Sequence, residues 1–213
     1  MITAHSGSDG YKDNSREFII AMLNSDVEAF EIDCHLSPDN TLYLNHDKSD
    51  DFHKYLTLSN LFQMMSESNN EDIIVNIDCK GGKGVGPLAV ELAKEFNLLE
   101  RIVLSGGLNI EDYDTTFRNQ LFYNLENSID YSDSTTIEEV EQVLAELERK
   151  GIKIIQLYYK LVDRDIISLA DRYQIKLSVW TVNDLDIIDK YLAMGCHNVT
   201  SRIALEYLSK NNG

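Results

Sequence analysis

Five residues able to move protons or hold a cation fall late in short strand-like runs: His5, Glu31, Asp33, His46 and Asp78. Glu31 and Asp33 stand two apart in AFEIDCHL, and strand side chains alternate faces, so both carboxylates leave the backbone on one side. The same parity pairs Asp78 with Lys80 in IIVNIDCK. Two carboxylates beside a third make a hard-oxygen site for a divalent cation, with histidines at hand for proton transfer. This pattern predicts a metal-dependent hydrolytic or lyase enzyme. The competing reading makes Glu31, Asp33 and Lys80 salt-bridged structural residues. It leaves three carboxylates against one lysine, which repel without a further cation.

Such a set must be positioned by the elements between its members. Strand-like runs fall at 2–5, 29–36, 41–46, 73–79, 102–105, 121–125, 153–159, 176–182 and 197–200. Helical patterns lie between them. Residues 137–150 place Ile137, Val140, Leu144 and Leu147 on one stripe, with Thr136 and Glu139 as a capping box and Gly151 just past the end. Residues 86–97 repeat the stripe with Leu88, Leu92 and Phe96. Residues 163–173 and 184–194 follow, the latter closed by Gly195. This alternation argues for a parallel sheet with helices outside.

Nine strand runs exceed an eight-stranded barrel by one. The turn Ser37-Pro38-Asp39-Asn40 folds 41–46 back onto 29–36 as a hairpin, and eight βα units remain. The expected fold is therefore a (β/α)8 TIM barrel, a single domain over 1–213 with a β-hairpin extension after strand 2. An open doubly wound sheet is the alternative. Barrel active sites form at the C-terminal ends of the strands, where His5, Glu31, Asp33, Asp78, Lys80, Glu126 and Trp180 all fall.

A net charge of −17 with no basic stripe argues against nucleic acid and against an anionic membrane surface. An anionic substrate would need a local cationic site built from metal and lysine. Cys34, Cys79 and Cys196 share no metal-site spacing, and parity turns Cys34 and Cys79 away from the acidic face, as buried residues under helices. The start MITAHSG lacks a basic and apolar leader, and no 18-residue apolar run occurs, so a reduced, cytoplasmic setting without stable membrane anchoring is expected. The acceptor pattern Asn198-Val199-Thr200 lies in a strand-like run and is read as chance.

Several motifs in order resemble the glycerophosphodiester phosphodiesterase family. They are ITAHSG at 2–7, DNS at 13–15, EIDCHLSPDNTLYLNHD at 31–47, NIDCK at 76–80, SVWTVND at 178–184 and AMGCHNVTS at 193–201. The resemblance implies a barrel phosphodiesterase of lipid metabolism and assigns roles residue by residue. His5 and His46 match the general acid and base. Glu31, Asp33 and Asp78 match the ligands of one divalent cation, Mg2+ or Ca2+, with Mn2+ also admissible. Lys80 matches a phosphate-holding lysine, and Trp180 a pocket wall. The implied partner is a small-molecule phosphodiester, bound by a monomer or small homo-oligomer.

The chain departs from the family pattern at several points. Ser6 stands where an arginine usually follows the first histidine, which removes a bidentate phosphate clamp. Asp13-Asn14 replaces Glu-Asn, Asp78 replaces a glutamate, and the last strand runs Thr200-Ser201-Arg202 instead of Thr-Asp-Arg-Pro. Only Asp47 to Thr57 separates His46 from the next helix, where the family commonly inserts a subdomain, so a more open mouth is expected.

Other residues read more plainly. The run Gly81-Gly82-Lys83-Gly84-Val85-Gly86 lacks a P-loop ending and reads as a flexible loop. Regular parity turns His35 inward beside the acids, whereas His53 and His197 read as solvated or structural. Glu126 and Ser6 are further candidates for substrate contact. Two other functions fit the same barrel: a non-catalytic phosphate-ligand module, and a phospholipase-type lyase releasing a cyclic phosphate. A zinc amidohydrolase is disfavoured, since strand one offers His5 without a second histidine.

Overall fold

Local signals start each helix where the apolar pattern begins. A computed structural model of the 213-residue chain describes residues 1–82, 84–132 and 134–211. Ser15 accepts from Phe18 N to start α1 (Arg16–Leu23), and Thr57 with Asn60 forms a capping box on α2 (Leu58–Glu67). Gly84, at φ +104°, opens α3 (Val85–Glu95). The expected Thr136–Glu139 box caps α4 (Ile137–Arg149), and Asp163 and Asp184 cap α5 (Arg164–Arg172) and α6 (Leu185–Ala193). The last helix, α7 (Ala204–Asn211), borrows its cap from the far end of the chain: Asp9 accepts from Leu205 N and Glu206 N, each at 3.1 Å.

The strands are β1 (Ile2–Ala4), β2 (Ala29–Leu36), β3 (Leu42–Leu44), β4 (Ile74–Cys79), β5 (Ile102–Gly106), β6 (Phe122–Asn124), β7 (Ile154–Tyr158), β8 (Lys176–Trp180) and β9 (Asn198–Ser201). Eight of them run parallel in the order β5-β4-β2-β1-β9-β8-β7-β6, and a parallel bridge between Leu104 and Leu121 brings the two ends together. The result is a nearly closed (β/α)8 barrel. β3 pairs antiparallel with the end of β2 (Cys34 with Leu44, Leu36 with Leu42), as the Ser-Pro-Asp-Asn turn predicts. Between β3 and α2 the chain holds one short 3-10 turn, Phe52–Lys54.

Two helical stripes sit differently from the sequence expectation. On α4, Val140, Leu144 and Leu147 are buried, but Ile137, in the first turn, is exposed. On α3 the buried face is Val85, Gly86, Ala89, Val90 and Ala93, while Leu88 faces solvent. Small residues there let the helix approach the sheet closely: a Cβ on Gly86 would collide with the Tyr113 hydroxyl. Hydrophobicity alone pointed to the larger leucines.

Outward strand residues such as Phe30, Ile32, Cys34, Ile77 and Cys79 pack under the helices in the main core. Cys34 and Cys79 are thus buried as expected, and burial pushes both thiols up, away from reactivity. Inside the barrel, Val103, Phe122 and Ile154 form an apolar floor at the N-terminal end. The layer above is polar: Thr3 donates to Asn198, which donates to Ser178, and Asn76 donates to Glu31. Gln156 donates to Asn124 across the same layer.

Candidate active site

The polar layer supports a cavity of about 490 Å3 at the C-terminal mouth of the barrel. The register sets Asp33 of β2 directly beside Asp78 of β4, and Glu31 beside Asn76 one step deeper. Lys80 follows the end of β4 and turns back: its Nζ lies 3.0 Å from Asp33 Oδ1 and 2.6 Å from Asp78 Oδ2. Burial lowers the Lys80 pKa, but Asp78 and Asp33 together more than offset this and hold the ammonium above its ordinary range.

Glu31 has no such cation. It is 8% exposed, and its Oε2 accepts from Asn76 Nδ2 at 3.0 Å. Burial, followed by repulsion from Asp78 and Asp33, pushes its carboxyl up to about 8. Its Oε1 stands 3.6 Å from His5 Nε2. Burial also lowers the His5 pKa, so at neutral pH this contact joins two uncharged groups, and its geometry overstates it as an ion pair. The site is therefore short of positive charge.

The histidines have defined tautomers. His5 Nδ1 lies 2.9 Å from the Ser6 carbonyl, which can only accept, so Nδ1 carries the proton and Nε2 the lone pair. His46 Nδ1 lies 2.9 Å from Asp47 Oδ1, which leaves Nε2 as its free ring nitrogen. Both rings line the cavity; His5 is partly buried, and the His46 side chain is 58% exposed. Trp180 shares the lining, and its buried indole N–H has no hydrogen-bond partner among the described residues. The Trp180–Thr181 peptide is cis.

Two expected substrate contacts lie elsewhere. Ser6 is fully buried, and its hydroxyl accepts from Asn14 N at 2.9 Å, so it organises the loop and does not line the cavity. Glu126 is exposed outside the cavity, because the 3-10 turn Leu125–Asn127 breaks strand parity and turns Asn124 and Asn127 inward. Asp33 is also outside the lining. It is 1% exposed, with Asn14 donating to its Oδ2 at 2.8 Å and accepting from its backbone N–H at 2.8 Å. Among the described residues, no three His, Cys, Asp or Glu side chains stand close enough to hold a metal ion as arranged. Lys80 occupies the interval between two of the three candidate ligands.

Other residues escaped the sequence reading. Asn76, Asn124 and Gln156 share inward strand parity with the acids, and that signal alone marks them. Arg202 carries no such mark. It forms a bidentate pair with Asp13, at 3.0 and 3.2 Å, across 189 residues of chain. Asp13 in turn packs so closely on Gly7, at φ +73°, that a side chain there would collide with it.

Fold and site together define a (β/α)8 barrel with histidines, carboxylates and a lysine gathered at the C-terminal rim of its strands. No family model and no curated protein matches the chain. Solved structures do match, and among them are members of the group that the motifs resemble. A glycerophosphodiester phosphodiesterase from Parabacteroides distasonis is 19% identical, with a TM-score of 0.77 over 99% of this chain and 96% of that one. One from Thermotoga maritima is 18% identical, with a TM-score of 0.75 over 100% and 97%. A phosphodiesterase from Oleispira antarctica, in complex with the product sn-glycerol-3-phosphate, is 16% identical, also with a TM-score of 0.75 over 100% and 97%. At these identities the likeness establishes a shared fold. Among the described residues no helix is long and apolar enough to cross a membrane.

Proposed function

We infer that the chain is a divalent-cation-dependent phosphodiesterase that cleaves a glycerophosphodiester, or a related alcohol phosphodiester, to an alcohol and a phosphomonoester. The observation that carries this reading is the pair of histidines with preset tautomers, His5 and His46, on the rim of a cavity floored by carboxylates and Lys80. The phosphate ester bound by the Oleispira protein, which shares the fold, supports the substrate class.

The donor set suits a hard cation. Three carboxylates are served by one lysine, which sits on Asp33 and Asp78, and burial with repulsion from Asp78 and Asp33 pushes the Glu31 carboxyl up to about 8. Glu31, Asp33 and Asp78 would hold the ion once the Lys80 ammonium moves off Asp33 and Asp78. When bound, the cation would supply positive charge against the phosphoryl oxygens.

The rest falls to the chain itself. Lys80, released from its carboxylates, would offer its ammonium to a phosphoryl oxygen. His5, kept neutral by burial and carrying its lone pair on Nε2, would take the proton of the attacking hydroxyl. His46, with its Nδ1–H held by Asp47, would act in its imidazolium form and give the Nε2 proton to the leaving alcohol. The unpartnered Trp180 N–H would gain an acceptor from the substrate, removing a cost of about 1–3 kcal/mol.

The test is a screen of phosphodiesters with Mg2+, Ca2+ and Mn2+, with phosphorus NMR of the products. A phosphomonoester is expected; a cyclic phosphate as end product would identify a lyase. His5→Ala and His46→Ala should each abolish turnover with the fold intact, and retained turnover in either refutes its assigned role. Binding of phosphate esters without turnover of any diester would identify a binding module instead.

A further inference from the structure

Beside the main cavity lies a second one of about 240 Å3, and the two share Lys80 and Gly81. At roughly 30 Å3 per water it has room for about eight waters, or one small organic group. Its other walls include His35, Ser37, Pro38 and Lys48, and among the described residues no carboxylate lines it. In a chain with 36 acidic residues and a net charge of −17, this hollow has only neutral and basic side chains in its described lining, with Asp39, beside Pro38 in the chain, accepting from Ser37.

Two of its groups are free to bind. Lys48 forms no ion pair with a described carboxylate; of the nearby acids, Asp47 and Asp51 are engaged by His46 and Lys54, and Asp50 does not line the cavity. His35 is 7% exposed, and its Nε2 lies 3.1 Å from the His46 carbonyl. Because a carbonyl only accepts, Nε2 is the donor there, and Nδ1 is the ring nitrogen left to accept. Nδ1 has no hydrogen-bond partner among the described residues. It faces Gly81, where an added Cβ would lie 3.5 Å away, so no side chain screens it from the wall common to both cavities. Tyr43 stacks on the ring at 5.5 Å and 19° and fixes its orientation.

A buried acceptor and an unpaired ammonium, without an acid, suit a group that carries hydroxyls and a negative charge. We propose that this side cavity receives one alcohol of the phosphodiester and favours an anionic polyol over a quaternary ammonium alcohol. The proposal rests on the phosphodiesterase reading and names the substrate class of that site. A quaternary ammonium alcohol would meet Lys48 with like charge, and its cationic head, having no N–H, would leave His35 Nδ1 without a donor.

The experiment compares kcat/KM for bis(glycerophospho)glycerol and glycerophosphocholine in the wild type, Lys48→Ala and Lys48→Glu. The wild type should favour the anionic diester, and Lys48→Glu should shrink that preference about three- to tenfold, mainly through KM. Preference for the choline diester, or a ratio unchanged in Lys48→Glu, overturns the proposal. If the wild type turns over no diester, the phosphodiesterase reading falls separately, and calorimetry decides the subsite. Weaker binding of bis(glycerophospho)glycerol by Lys48→Glu than by the wild type then supports it, and equal affinity overturns it.

Discussion

Replacing Glu31 with glutamine should stabilise the cation-free protein at alkaline pH while destroying its response to divalent cations. In the unfolded chain this carboxyl ionises near 4.5; in the folded chain burial and the charges of Asp78 and Asp33 delay ionisation to about 8. Between those values the native state holds a proton that the unfolded state has lost. Stability therefore falls as pH rises through the interval and becomes level above it, as far as this group is concerned. A displacement from 4.5 to about 8 corresponds to on the order of 3–5 kcal/mol. Glutamine keeps the shape and still accepts from Asn76 but cannot ionise. In a chain of this length the variant should then melt on the order of 10 °C above wild type at about pH 8, with the gap closing towards about pH 5. The assay is thermal unfolding in chelator across that range, read as the difference between the two proteins so that other titrating groups cancel. Added Mg2+ or Ca2+ should raise the wild-type Tm and leave Glu31→Gln unmoved. Parallel pH profiles for the two proteins would refute the reasoning, because Glu31 would then have found a counter-charge within the fold.

Three further outcomes follow from the same geometry. Arg202→Ala removes the bidentate partner of Asp13, which should cost about 1 kcal/mol after solvent screening. Because the Arg202 charge also lowers the His5 pKa, the acid limb of the pH–rate profile should move to higher pH, and an unmoved limb would contradict the placement. Gly106→Ala requires a side chain at φ +84° that collides with Asp78 and comes within 2.7 Å of the Cys79 carbonyl; activity should collapse, with roughly 1–3 kcal/mol lost in denaturant titration. Leu144→Ala should cost about 2–5 kcal/mol, whereas Leu88→Ala on the exposed face of α3 should stay within about 0.5 kcal/mol, both by urea melts.

The strand and helix pattern, the hairpin after β2 and the shared face of Glu31 and Asp33 were legible in the chain, because each depends on local rules. Parity acts over two residues, capping over three, and a Ser-Pro-Asp-Asn turn over four. The same parity would have marked Asn76 and Gln156, had polar residues been weighed as heavily as charged ones. It failed at Glu126, where a 3-10 turn ends the alternation, and the hydrophobic stripe failed on α3, where close packing favours Gly86 and Ala89 over Leu88.

Sequence by itself determined a (β/α)8 barrel and the chemical types gathered at its mouth: two histidines, three acids and one lysine. Only the tertiary structure decided which of them are paired. Lys80 bridges Asp33 and Asp78 and leaves Glu31 without a cation. His5 and His46 take their tautomers from Ser6 and Asp47. Arg202 reaches Asp13 only because the barrel closes β9 onto β1. The physical reason is range. Backbone periodicity is set by neighbours a few residues apart, whereas charge compensation depends on distances across strands that meet only when the barrel closes.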